Sequence, residues 1–169
     1  MTTRGLTDGE RTLAASVFGD AIDYDAVRIH ARKYFPLQPK KTAMAPNGAI
    51  WLHPKGTLWT ENFAKEKLGR RGLFIHEMTH IWQHQMGIFL PLKRHPFCRY
   101  SYSIKPGWKL DRYGLEQQAE IVRHVFLLRE GGKVPGAPAR GQLESILPFK
   151  AITPPSSPPP PAKAAAAAP

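Results

Sequence analysis

Gly72-Leu73-Phe74-Ile75-His76-Glu77-Met78-Thr79-His80-Ile81-Trp82-Gln83-His84-Gln85-Met86-Gly87 is the stretch around which the rest of the chain is read. It predicts one helix stopped by glycine. His76 and His80 are four residues apart, so they lie one turn apart on the same helical face. Two imidazoles so placed can grip one zinc ion, with Glu77 beside it to act on a bound water. A His-x-x-x-His pair alone is a weak signal, since helix histidines are often only packed and hydrogen-bonded. The glutamate between them makes His-Glu-x-x-His far more specific. The inner face of this helix is expected to carry Leu73, His76, Glu77, His80 and His84. Phe74, Ile75, Met78, Ile81 and Trp82 would cover the other sides, which suits a central buried helix.

Working outward, Thr7-Asp8-Gly9-Glu10 matches a capping box for a first helix that Gly19 ends. Tyr24–His30 alternates as a strand does, and His30 reads as a surface or packing histidine. Thr42–Ala45 and Ala49–His53 flank Pro46-Asn47-Gly48 and predict a hairpin. An edge strand of that hairpin, beside the zinc, could hold an extended substrate by backbone hydrogen bonds. A hairpin that merely completes a sheet is the plainer reading. Thr60 is expected to cap a short basic helix over Glu61–Leu68 that ends near Gly69. Phe89 to Arg112 has no steady period and is expected to be a long loop, its aromatic residues packing near the active site. Asp111 is expected to cap a second strong helix, Arg112–Glu130, closed by Gly131-Gly132. Leu143, Ile146, Leu147 and Phe149 are expected to dock back on the body. Residues 1–152 thus form one domain, and residues 153–169, rich in proline and alanine, a free tail.

A catalytic zinc takes three protein ligands and keeps one position open. For the third ligand, His84 would require three consecutive turns of one helix to wrap a tetrahedral ion. His95 and Cys98 form one His-x-x-Cys pair without a second, and Cys98, the only cysteine, otherwise reads as a small buried hydrophobe. Glu116 is the better choice: it lies on the second helix, on a face expected to meet the core, where a carboxylate needs a partner. Glu120, one turn on, suits the role of accepting a hydrogen bond from a ligand histidine. Two solvated acids on an ordinary helix are the competing reading.

Length and charge set the outer bounds. The 169 residues make one ordinary domain, and no apolar run approaches a membrane span. One cysteine leaves no internal disulfide. The net charge of +11 is laid out unevenly. Residues 31–72 hold Arg32, Lys33, Lys40, Lys41, Lys55, Lys65, Lys67, Arg70 and Arg71 against only Glu61 and Glu66. Such a surface favours anionic partners: nucleic acid, an anionic envelope or membrane, or an acidic protein.

These motifs resemble the glutamate-type zinc metallopeptidases, the gluzincins. Their third ligand is a glutamate on a downstream helix in a Glu-x-x-Ala context with an acid four residues on. Glu116-Gln117-Gln118-Ala119-Glu120 is similar to that element. Within the clan, the chain resembles bacterial zincin-like toxin domains and Vgr-related domains linked to type VI secretion. The Val27–His30 and Ala49–His53 strands carry that likeness, as does His-Glu-x-x-His followed by an aromatic and Gln83. The resemblance covers about residues 6–130. It implies an α+β, zincin-like fold: a small mixed sheet packed on a central metal-binding helix and a second, ligand-bearing helix. It implies Zn2+ held by His76, His80 and Glu116, with Glu120 orienting a ligand. It also implies hydrolysis of a peptide or other amide bond in a protein or cell-wall peptide, with Glu77 as general base. A tyrosine or histidine would stabilise the developing charge, and Tyr102, Tyr113 and His95 are the candidates.

The chain as given starts without a secretory signal peptide. Synthesis in a bacterial cytoplasm and export by a signal-peptide-independent system, as an antibacterial effector partnered by a secretion-apparatus protein, is the expectation. The alternatives are a non-catalytic adaptor or structural module that retains a zincin shell, and a nucleic-acid-associated basic protein. No finger spacing, RNA-binding aromatic motif or recognition-helix signal supports the last.

Overall fold

The computed structural model describes residues 2–88, 90 and 100–149. The expectations placed on Phe89, His95, Phe97, Cys98, the 152/153 boundary and the tail lie outside the described residues. The regular elements are β1 (Thr3–Arg4), α1 (Asp8–Phe18), β2 (Arg28–His30), β3 (Ala43–Met44), β4 (Ala49–Leu52), α2 (Leu68–Gln85), α3 (Leu115–Arg129) and α4 (Arg140–Glu144). The architecture is α+β with a small mixed sheet.

The sheet runs in the order β1-β2-β4-β3. β2 and β4 pair in parallel, with Ile29 opposite Ile50, while β1 on β2 and β3 on β4 are antiparallel. Ile29, Ile50 and Leu52 are buried on the face toward the helices. His30 and Trp51 stack with ring centroids 4.1 Å apart, so His30 is the packing histidine expected. The β3–β4 hairpin turns at Asn47-Gly48, where Gly48 takes φ +79°. That left-handed conformation is one that glycine adopts without steric cost.

Thr7 caps α1 as the sequence predicts: Glu10 N donates to Thr7 Oγ1 at 3.2 Å and Thr7 N donates to Glu10 Oε2 at 2.9 Å. Glu10 does more than cap. Its side chain is wholly buried, it pairs with Arg4 at 2.7 and 2.8 Å, and it accepts the Phe63 backbone N–H at 2.8 Å. That last bond explains a departure from expectation. Residues 61–68 do not form a basic helix capped by Thr60. They make a short 3-10 turn over Phe63–Lys65 capped by Asn62, whose side chain accepts from Ala64 N at 2.9 Å. Phe63 is thereby pinned to α1 and stacks on Phe74 at 5.3 Å.

α2 starts at Leu68, four residues before the predicted start, and passes through Gly69 and Gly72. A helical glycine costs about 1 kcal/mol against alanine, and packing offsets this at Gly72. A Cβ there would lie 2.9 Å from Leu127 Cδ2, so the missing side chain lets α3 come close. α3 in turn starts at Leu115, not Arg112. Asp111 falls in a 3-10 turn over Leu110–Arg112, and the true start is secured by Gln117, whose Oε1 accepts the Gly114 N–H at 3.0 Å. Gly131 closes α3 at φ +77°, with Gly132 N donating to Leu127 O at 2.8 Å. Burial of Phe74, Ile75, Met78 and Ile81 on α2 and of Ile121, Val122, Val125 and Phe126 on α3 joins the helices. Each such side chain contributes about 1.5–3 kcal/mol. Leu143, Ile146 and Phe149 dock back as expected, Phe149 meeting Phe18 and Trp82 edge-on at 4.9 and 5.0 Å. Among the described residues, no helix is long and apolar enough to cross a membrane.

Candidate metal centre

The α2–α3 packing brings the three ligand atoms expected from sequence to one point. His80 Nε2 lies 3.2 Å from His76 Nε2 and 3.2 Å from Glu116 Oε2, and His76 Nε2 lies 3.3 Å from that same oxygen. All three residues are buried. A tetrahedral zinc with arms of about 2.0–2.1 Å has donor–donor edges of about 3.3–3.4 Å. The observed triangle fits that edge length.

The hydrogen-bond network fixes which nitrogen of His80 faces the triangle. Gln118 Nε2 donates to Tyr113 O at 2.7 Å, so Gln118 Oε1 accepts from Gln83 Nε2 at 2.9 Å. Gln83 Nε2 also donates to Leu115 O at 3.0 Å. Gln83 Oε1 is therefore left to accept from His80 Nδ1 at 2.8 Å, which puts the ring proton on Nδ1 and the lone pair on Nε2. Carbonyls at the end of the relay only accept, so its direction is set. The sequence marked Gln83 only as part of a resemblance and did not mark Gln118 as functional. Buried amides follow no periodic signal.

On its other side His76 faces Glu120, with Nδ1 2.8 Å from Glu120 Oε1 in a close charge contact that lies off the hydrogen-bond direction. Glu120 is itself gripped by Arg123 at 3.1 Å and by His124 Nε2 at 3.2 Å. Burial would raise the Glu120 pKa, but His124, His76 and Arg123 outweigh it and hold the carboxyl well below the usual range. Burial likewise disfavours charge on His76, yet Glu116 and Glu120, with Glu77, raise its pKa to about 9. The carboxylates here draw positive charge into the triangle. Glu77 is 4% exposed, and its Oε2 has no hydrogen-bond partner among the described residues. An unpartnered buried carboxylate oxygen is costly, and its place beside a donor set that could hold a metal ion offers a use for it.

The centre opens into a cleft of about 410 Å³ lined by Lys41, Thr42, Ala43, Leu73, His76, Glu77, Tyr100, Glu120 and Arg123. Larger recesses exist elsewhere, but among the described residues they gather no comparable set of donors. One, of about 560 Å³, is lined by Tyr102, Trp108 and Tyr113. This recess holds two of the candidate tyrosines. The Tyr102 hydroxyl lies 2.7 Å from His124 Nδ1, and the Tyr113 hydroxyl accepts the Lys105 N–H at 3.0 Å, so neither lines the cleft. Tyr100 is the tyrosine that does, its ring 6.3 Å from that of His76. His84 is not in the donor set. It packs over the hairpin turn, where a Cβ on Gly48 would meet its ring at 2.7 Å. His95 and Cys98 lie outside the described residues.

No protein-family model matches the chain. It is 44% identical over 132 residues to the type VI secretion system spike protein VgrG2b of Pseudomonas aeruginosa. That match covers 73% of this chain but 13% of the relative, so the chain spans a small part of the spike protein's length. The solved effector domain of Pseudomonas aeruginosa VgrG2b superposes with a TM-score of 0.73 at 39% identity, covering 85% of this chain and 83% of that one. With most of that domain matched in both sequence and fold, the chain belongs to the VgrG2b effector-domain family.

Proposed function

We propose that this chain is a zincin-like, zinc-dependent hydrolase of peptide or amide bonds that serves as an effector of a type VI secretion spike. The observation that carries the reading is the buried triangle of His76, His80 and Glu116 with the unpartnered Glu77 oxygen beside it. A folded adaptor would have no use for that carboxylate, which an adaptor could replace by an apolar side chain at no loss.

In this reading His76, His80 and Glu116 hold the metal, Gln83 keeps the His80 lone pair inward, and Glu120 orients His76. Bound zinc would supply a Lewis acid for the substrate carbonyl and lower the pKa of a water to near neutrality. Glu77 takes the proton of the attacking water and delivers it to the leaving nitrogen. Tyr100, which lines the cleft beside His76 and Glu77, is assigned the role of donor to the oxygen where charge develops. β3 lies at the sheet edge and Ala43 lines the cleft, so its backbone can pair with an extended substrate. The substrate class is a protein or cell-wall peptide. Export would travel with the spike, and a secretion-apparatus protein is the partner.

Chelation tests the metal requirement. Hydrolysis of a fluorescence-quenched peptide library should vanish when the metal is stripped and return when zinc alone is added back. Full turnover in the stripped protein would overturn the proposal.

A further inference from the structure

The segment joining β2 to β3 exposes an apolar tip. Among the described residues the exposed large hydrophobic side chains are Tyr34 and Phe35 at 38%, Leu37 at 85%, Met86 and Tyr100. Three of these fall within four consecutive positions. Single exposed apolar residues need no explanation, but a cluster held rigidly in solvent does.

This cluster is held rigidly. Gln38, at 3% exposure, accepts the Tyr34 N–H at 2.8 Å and donates to Thr42 O and Trp51 O, both at 3.0 Å. Gln38 N donates to Phe35 O at 3.1 Å, and Lys33 Nζ to Pro36 O at 2.8 Å. Pro36 and Pro39 restrict the backbone on either side. A buried anchor next to Leu37 thus fixes that side chain outward.

The surrounding charge has one sign. From residue 26 to residue 60 there is no aspartate or glutamate, while Arg28, Arg32, Lys33, Lys40, Lys41 and Lys55 are all present. Arg32 and Lys33 line a recess of about 410 Å³ with Tyr34 and Phe35. Two histidines feel the positive field: burial, then Arg32 and Arg28, lower the pKa of His30, and burial, then Lys33, Lys40 and Lys55, lower that of His53.

We propose that this face binds the surface of an anionic lipid bilayer, with Leu37 and Phe35 entering the headgroup–acyl boundary and the flanking lysines and arginines meeting lipid phosphates. Apolar wedges rimmed by cations are the composition that interfacial binding uses. A nucleic acid suits the face less well, since the largest ring there is closed to base stacking and the most exposed side chain is aliphatic. Trp51 is already covered by His30, with Arg32 6.0 Å from its ring centroid and Tyr34 edge-on at 5.5 Å. A nearly fully exposed leucine also offers nothing to a phosphate backbone. Because the same segment runs on into Lys41, Thr42 and Ala43 at the cleft, docking would set the cleft at the membrane surface. A substrate displayed there is the consequence. That consequence rests on the hydrolase reading, whereas bilayer binding does not.

The test is sedimentation of the full chain with vesicles of phosphatidylglycerol and phosphatidylethanolamine, against vesicles of phosphatidylcholine, at physiological salt. Binding to the anionic vesicles should exceed that to the neutral ones by about tenfold or more. Leu37→Ser, an exposed change expected to leave thermal unfolding unaltered, should weaken it about tenfold. Lys40→Glu with Lys55→Glu should weaken it about tenfold or more. Equal binding to both vesicle types, or unchanged binding by Leu37→Ser, would overturn the proposal. So would tight binding of a single-stranded oligonucleotide with none to vesicles. The assay needs no turnover, so its failure and a failure of the hydrolase reading are seen separately.

Discussion

Glu77→Gln is expected to keep its metal and lose hydrolysis by about 10²- to 10⁴-fold. The amide has the shape of the carboxylate, so the packing that leaves Glu77 4% exposed is retained. None of the three triangle atoms belongs to Glu77, so the donor set is intact. What disappears is the group that accepts a proton from water. Steady-state cleavage of the peptide library, with zinc content measured on the same samples, checks both halves. Turnover within about threefold of wild type would remove Glu77 from the role of base, since a general base contributes far more than that.

The second large effect is on stability. Glu10→Ala is expected to cost about 3–5 kcal/mol in urea unfolding, the range for removing one partner of a buried ion pair. Glu10 is fully buried, and its loss would leave Arg4, whose side chain is 15% exposed, without its counter-charge and strand the Phe63 N–H. A cost below about 1 kcal/mol would mean that the pair is solvated and that α1 is held by other contacts. The pH dependence follows from the same geometry. Burial alone would raise the Glu10 pKa, but Arg4 and the N–H groups of Phe63 and Thr7 together bring it below the ordinary 4.5. A depressed folded-state pKa gives stability that is present above the unfolded value and lost as pH falls through the folded one. Wild type should therefore lose stability more steeply than Glu10→Gln below about pH 4.5.

Much of the candidate centre was legible because it is periodic. His76, His80, Glu116 and Glu120 each sit four residues from a partner, and a helix turns such spacing into a shared face. The capping box at Thr7–Glu10 and the turn at Asn47-Gly48 are equally local signals. What could not be read depends on contacts distant in sequence. Gly69 looks like a helix end and Gly72 like a helix start, but α2 runs through both, and Leu127 of α3 fills the space that Gly72 leaves open. Thr60 looks like a cap until Glu10, far earlier in the chain, claims the Phe63 N–H. Tyr102, Tyr113 and His95 could not be ranked from sequence for the same reason. Tyr102 is drawn away by His124, 22 residues on, and Tyr100 takes the cleft wall. The Gln83–Gln118 relay carries no sequence pattern, since amides serve as often on surfaces as in networks. The expected likeness to Vgr-related domains agrees with the relatives found.

The most direct test of the metal centre is elemental analysis of wild type, His80→Ala and Glu116→Ala, each purified without added metal. The arrangement of donors predicts about one zinc per wild-type chain and little in either variant. A folded wild type that stays free of metal after zinc is supplied would contradict the centre. A Glu116→Ala protein with its full complement would contradict the three-residue ligand set.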